Sequence, residues 1–123
     1  HDNRTTGFRI PISEKQNRRV ENRIAGADAN PYLAFATSLG CGLQGILEKI
    51  EPTPPVKGSA YEHDFALPRS LEEALREMQE SKVLQDLFTE KFVRVYCSLK
   101  EAEYNAFFRV ISTWEREYLL LNV

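Results

Sequence analysis

From Thr6 to Ile12 apolar and polar residues alternate, with Phe8, Ile10 and Ile12 on one face and Gly7 and Arg9 on the other. A period of two with β-branched content predicts a strand. Ser13 to Asn17 is polar turn material, and Arg18 to Ile24 alternates again, so the two stretches predict an antiparallel hairpin. After the break at Gly26–Ala29 the period changes. Asn30-Pro31 has the form of an N-cap followed by proline at the first helical position. Tyr32, Phe35, Leu39, Leu43, Ile46 and Ile50 then recur at three- and four-residue steps. This predicts a helix to about Ile50 whose first half, with Leu33, Ala34, Ala36 and Cys41 around the axis, is buried on most sides. Gly40, Gly42 and Gly45 weaken it in isolation and suggest a close approach of helix to sheet.

Pro52 to Pro55 ends that helix, and the loop to Pro68 shows no period. Ser70-Leu71-Glu72-Glu73 is a capping-box signature that opens a helix with Leu71, Ala74, Leu75 and Met78 inward. A short turn of helix follows at Val83–Phe88. Thr89 begins the last long helix, with Phe92, Val95, Tyr96, Leu99, Ala102, Ala106, Phe107, Val110 and Trp114 as its stripe. The fold class is therefore α+β: an N-terminal hairpin followed by three or four helices. Residues 1–26 form the hairpin portion and residues 27–123 the helical one. Five large apolar residues follow Glu117, a tail that folds back on its own core or packs on another chain.

Composition adds bounds. At 123 residues, 42% hydrophobic and 28% charged, the chain is ordinary globular material of one domain or part of one. Residues 1–26 carry six basic groups against three acids, a net of +3, so the remainder carries −5. A local basic excess on an acidic chain fits a small anionic ligand better than nucleic acid, whose binders show a broad basic stripe. Cys41 and Cys97 fall in apolar helical surroundings and read as free, buried thiols of a reducing, cytoplasmic setting. The longest apolar run is too short for a membrane span. His1 and His63 are too isolated to build a metal site. No signal peptide is evident, and the opening without Met reads as the interior of a longer protein, of which this is a C-terminal portion.

The candidate chemistry lies in the hairpin. Arg19-Val20-Glu21-Asn22-Arg23 puts Arg19, Glu21 and Arg23 on one strand face at steps of roughly 6.5–7 Å. Arg9 shares that face if the hairpin closes, and Arg4, of opposite parity, reaches it only if the chain turns first. Such a face can hold a polyanion and offer one metal-ligating carboxylate. A solvated salt-bridge ladder has the same pattern.

Taken together, Asn3-Arg4-x4-Arg9-Ile10-Pro11, Arg19-x-Glu21-x-Arg23 and Ala27-Asp28-Ala29-Asn30-Pro31-Tyr32-Leu33-Ala34 resemble the C-terminal part of the glutamine synthetase superfamily. Gly58-x-Ala60-Tyr61, Leu67-Pro68-x-Ser70-Leu71-Glu72-Glu73-Ala74-Leu75 and Trp114-Glu115-Arg116-Glu117-Tyr118 extend the likeness over nearly the whole chain. The wording of residues 19–28 and 114–123 is most similar to the γ-glutamylpolyamine synthetase branch.

The resemblance implies an ATP-dependent ligase that joins the γ-carboxyl of glutamate to ammonia or a polyamine through γ-glutamyl phosphate. It implies Glu21 as a ligand of Mg²⁺ or Mn²⁺, Arg9 and Arg19 against the nucleotide, and Arg4 and Arg23 against the glutamyl and phosphoryl groups. It further implies a ring-shaped homo-oligomer held partly by the C-terminal tail. Gly7 departs from the usual small polar residue two before Arg9, and the flanks of Tyr61 differ from those of a regulatory tyrosine. The family's other metal ligands lie upstream of His1, so this polypeptide alone is expected to be inactive. The alternatives are a non-catalytic structural relative, with the arginines in a salt-bridge network, and a helical interaction module.

Overall fold

A computed structural model describes residues 3–64, 67–120 and 122. The chain divides into two compact units, His1–Leu67 and Pro68–Val123.

In the first unit, β1 (Phe8–Arg9) pairs antiparallel with β2 (Glu21–Asn22), with Phe8 opposite Asn22 and Arg9 opposite Glu21. The Arg23 N–H donates to the Gly7 carbonyl at 2.8 Å and carries the ladder one step further. The hairpin is present as expected, but its regular strands are only two residues each. Pro11 has no N–H for the ladder. On the other strand, the Asn22 side chain accepts from the Ile24 N–H at 2.9 Å, which turns the chain away. Gly7 sits where the hairpin is tightest: a Cβ there would lie 3.0 Å from Ile24 Cγ1.

Helix α1 (Pro31–Leu47) starts where the sequence places it, with the Asn30 side chain accepting from the Tyr32 and Leu33 N–H groups. It ends in a Schellman arrangement. The Ile50 N–H donates to Gly45 and the Lys49 N–H to Ile46, with Lys49 left-handed at φ 55°. The expected burial of its first half is not found. No residue of α1 is buried, and Tyr32 and Leu39 are 84% and 73% exposed. Cys41, read as a buried thiol, is exposed too. Gly42 and Gly45 face open space, so the expected close approach to a sheet does not occur at them. The only sheet among the described residues is two short strands, far too small to cover a 17-residue helix.

The second unit is helical: α2 (Leu71–Glu80), α3 (Lys82–Phe88), α4 (Glu90–Phe107) and α5 (Thr113–Tyr118). Ser70 caps α2 by accepting from the Glu73 N–H, while the Glu73 carboxylate accepts from the Arg69 N–H, one residue before the position a full capping box would use. Leu75, Val93 and Cys97 form the buried core, with Met78 and Phe88 packed against it. Cys97 is free, and burial pushes its thiol pKa up.

Two expectations need correction. The buried side of α4 is Val93 and Cys97, whereas Val95 and Leu99 of the expected stripe are exposed. This helix is apolar on two sides, and α2 and α3 pack on one of them. The last long helix also stops at Phe107 instead of continuing to Trp114, so the described residues form five α-helices. Ser112 starts α5 with a full capping box, its Oγ accepting from the Glu115 N–H and its own N–H donating to the Glu115 carboxylate. Trp114 stacks on Tyr118 within α5, and both are more than half exposed, so the described part of the tail is not buried in the chain's own core. Leu121 and Val123 lie outside the described residues.

Lys49 offers a direct check of the α1 terminus. Left-handed backbone costs an L-residue about 1–2 kcal/mol, and glycine gives back about 0.5–1 kcal/mol in unfolded-chain freedom. Lys49→Gly should therefore stabilise the protein by about 0.5–1 kcal/mol in urea denaturation. A lowered midpoint would contradict the cap geometry.

Candidate functional site

The pairing of Arg9 with Glu21 puts a guanidinium and a carboxylate directly across the hairpin. Arg9 donates through Nε to Glu21 Oε2 at 2.8 Å and through Nη2 to Oε1 at 3.0 Å, a two-pronged contact that a lysine cannot make. Arg19 Nη2 lies 3.3 Å from Oε1, and Arg23 Nη2 lies 3.5 Å from Oε2. One carboxylate thus gathers three guanidiniums. The Glu21 side chain is 26% exposed, so the cluster lies at the surface, open to solvent and to a ligand. Arg19, at 58%, is the most exposed of the three.

Hydrogen bonding from Arg9, and then the charges of Arg9, Arg19 and Arg23, hold the Glu21 carboxyl below the usual carboxylate range against an opposing effect of desolvation. The group is anionic at neutral pH, and the cluster carries a net positive charge. It suits a phosphate-bearing anion, while Glu21 supplies one hard oxygen donor for a divalent ion. Among the described residues no group of three His, Cys, Asp or Glu gathers to hold a metal, so Glu21 would be one ligand of a set completed by other residues.

Arg4 is not brought into this cluster. It lies in a bend in which the Asn3 side chain accepts from both the Thr5 N–H (3.0 Å) and the Thr5 hydroxyl (2.6 Å). There Arg4 lines a cleft with Asn3, Thr5, Ile10 and residues 55–59. The connection to the cluster runs through Arg23, whose Nη1 donates to the Asn3 carbonyl at 2.8 Å. Asn3 is therefore a site residue whose role sequence reasoning missed, although an Asn two residues before a Thr is a turn signal. Asn22 is another: its Nδ2 donates to Ser38 Oγ at 2.9 Å and ties the hairpin to α1. Tyr61 stands in a 3-10 turn, Ala60–Glu62, and is 80% exposed.

The sequence that carries this row and the Asn-Pro-capped helix is similar to that of known proteins. Residues 1–119 match the glutamine synthetase catalytic domain. The chain belongs to that family. It is 42% identical over 118 residues to a glutamate–isopropylamine ligase from a Pseudomonas species, covering 93% of this chain and 26% of the relative. It is 37% identical to the gamma-glutamylputrescine synthetase PuuA of Escherichia coli, over 99% of this chain and 26% of the relative. Against the glutamine synthetase of Thermotoga maritima the identity is 33%, over 97% and 29%. The chain spans about a quarter of the length of these relatives. No described helix is long and apolar enough to cross a membrane.

The lowered Glu21 pKa fixes a pH dependence. A depressed carboxyl contributes stability above its unfolded value, about pH 4.3, and that contribution disappears as pH falls through the lower folded value. A carbon-detected NMR titration of the Glu21 carboxyl should place its midpoint below the ordinary glutamate range. Replacing Arg9 by Lys should move it back up. A midpoint at or above the ordinary value would show that the guanidiniums do not hold it.

Proposed function

We propose that the protein carrying this chain is an ATP-dependent ligase that joins the γ-carboxyl of glutamate to an amine through γ-glutamyl phosphate, and that this chain supplies one wall of its active site. The observation that supports this most is Glu21 standing among Arg9, Arg19 and Arg23, in a chain whose residues 1–119 match the glutamine synthetase catalytic domain. On this reading the chain alone is inactive and works in the cytoplasm as part of the whole enzyme.

ATP supplies the phosphoryl group, and Mg²⁺ or Mn²⁺ neutralises the charge on its oxygens. What this chain does is position cations. Phosphoryl transfer leaves the protein little covalent work and asks for fixed positive charge around the developing anion. Arg9 and Arg19 turn their guanidiniums from Glu21 to nucleotide phosphate oxygens. Arg19, the more exposed of the pair, needs the smaller rearrangement. Glu21, with those contacts given up, would be one residue holding the divalent ion, as a hard oxygen donor. Arg23 and Arg4 serve the glutamyl side, linked through the Asn3 backbone, and stabilise the carboxylate and its phosphorylated form. The amine then attacks the acyl carbon and phosphate leaves. The names of the two relatives with the higher identities point to an organic amine over ammonia as acceptor.

A structural relative would also keep an ion-pair cluster closed on itself, as here. Glu21→Gln separates the two readings: it keeps the shape and removes the charge. In the full-length enzyme, turnover with glutamate, ATP and isopropylamine or putrescine should fall by at least about tenfold at limiting Mg²⁺, with the melting temperature moving by only a few degrees. Unchanged turnover at limiting Mg²⁺ would rule out the metal role.

The enzyme is further proposed to assemble as a ring through the tail. Trp114, Tyr118 and Leu120 are each more than half exposed, a costly surface unless another subunit covers it. Deleting residues 115–123 should lower the mass of the full-length protein measured by light scattering, whereas an undiminished oligomer would put the tail to other use.

A further inference from the structure

Beside Asn3 lies a cleft of about 910 Å³, lined by Arg4, Ile10, Val56, Lys57 and their neighbours. One wall is the bend at residues 3–5 and the other is the loop 55–59. Two hydrogen bonds, each spanning 55 positions of sequence, strap these walls together: Asn3 Nδ2 to the Gly58 carbonyl at 2.9 Å, and the Ala60 N–H to Thr5 Oγ1 at 2.7 Å. Gly58 takes φ +83°, a left-handed backbone that favours glycine, at the residue whose carbonyl meets Asn3. A loop without regular secondary structure is thus held at a set place, and the residue before Gly58 is Lys57.

Among the described residues, neither Arg4 nor Lys57 makes an ion pair and no carboxylate lines the cleft. Ile10, Pro55 and Val56 give it an aliphatic portion. Two cations beside an aliphatic surface suit an oxyanion carried on a short hydrocarbon stem. Nucleotide phosphates are better matched by the three-guanidinium cluster around Glu21.

We propose that Lys57 is a further substrate-binding residue, which with Arg4 holds the carboxylate of glutamate and its phosphorylated form, and that Asn3 and Thr5 are positioning residues that hold its loop in place. This rests on the reading that Arg4 serves the glutamyl side of a ligase. The Arg23–Asn3–Gly58 chain of hydrogen bonds gives the arrangement continuity: the same Asn3 fixes an active-site guanidinium through its carbonyl and the Lys57 loop through its side chain.

The test uses the full-length enzyme with Lys57→Gln, Lys57→Arg, Thr5→Val and, as a reference, Glu21→Gln. Lys57→Gln should raise the KM for glutamate about tenfold, the scale of one lost charged contact at a partly exposed site. The affinity for a non-hydrolysable ATP analogue, measured by calorimetry, should stay unchanged. Lys57→Arg should restore most of the loss. Thr5→Val, which cuts one strap and leaves every charge in place, should raise the same KM by a smaller factor. A glutamate KM within twofold of wild type in Lys57→Gln, while Glu21→Gln loses its metal response, would overturn the Lys57 assignment and leave the ligase reading standing. A loss confined to the amine KM or to nucleotide affinity would also overturn it. If neither variant changes turnover, both the assignment and the ligase reading fall.

Discussion

Glu21 carries one negative charge, and three guanidiniums converge on it from two strands. The register of the hairpin is fixed by that convergence. Two paired residues per strand are a weak sheet, since an isolated hairpin is marginal in water. The Arg9–Glu21 contact adds a charge-assisted, two-pronged bond across the pair and fixes its register. A slip by one residue would send Glu21, with Arg19 and Arg23, to the opposite face and separate its carboxylate from Arg9. The register that stabilises the hairpin is therefore also the one that assembles the site.

A surface ion pair contributes little to stability by itself. The cluster's value lies in what its exposure permits. A carboxylate sealed in a dry core would keep its arginines, whereas one that is a quarter exposed can give them up to phosphate oxygens of higher charge. Ion pairing holds the three guanidiniums together on one side of the hairpin, which limits the side-chain ordering that binding an anion there would require. The same pairing keeps Glu21 deprotonated, so no proton has to be removed before it can meet a cation.

How far the sequence could be read depended on whether the deciding contacts were local. The Arg-x-Glu-x-Arg row, the Asn30-Pro31 helix start and the Ser70 cap depend on neighbours a few residues apart, and all are found where their patterns put them. Ser112-x-x-Glu115 carries the same capping signal as Ser70-x-x-Glu73, and the apolar run through Val110 and Trp114 obscured it. Burial was harder to read. Periodicity shows that α1 and α4 have apolar faces, but what covers each face depends on distant partners. With α2 and α3 packed on Val93 and Cys97, the Val95–Leu99 side stays exposed, as do Tyr32, Phe35, Leu39, Leu43 and Ile46 of α1. The association of Arg4 with Lys57 lay beyond any local pattern, because it depends on hydrogen bonds between residues 55 positions apart.

The central claim is that Glu21 exchanges its guanidinium partners for a divalent ion when phosphate takes the arginines. Anomalous scattering from Mn²⁺ in crystals of the full-length protein, grown with a non-hydrolysable ATP analogue, tests this most directly. The account predicts an anomalous peak in contact with the Glu21 carboxylate, with the Arg9 and Arg19 side chains turned to the analogue's phosphates. A manganese peak without Glu21 among its ligands, and Glu21 still paired with Arg9 beside bound nucleotide, would contradict it.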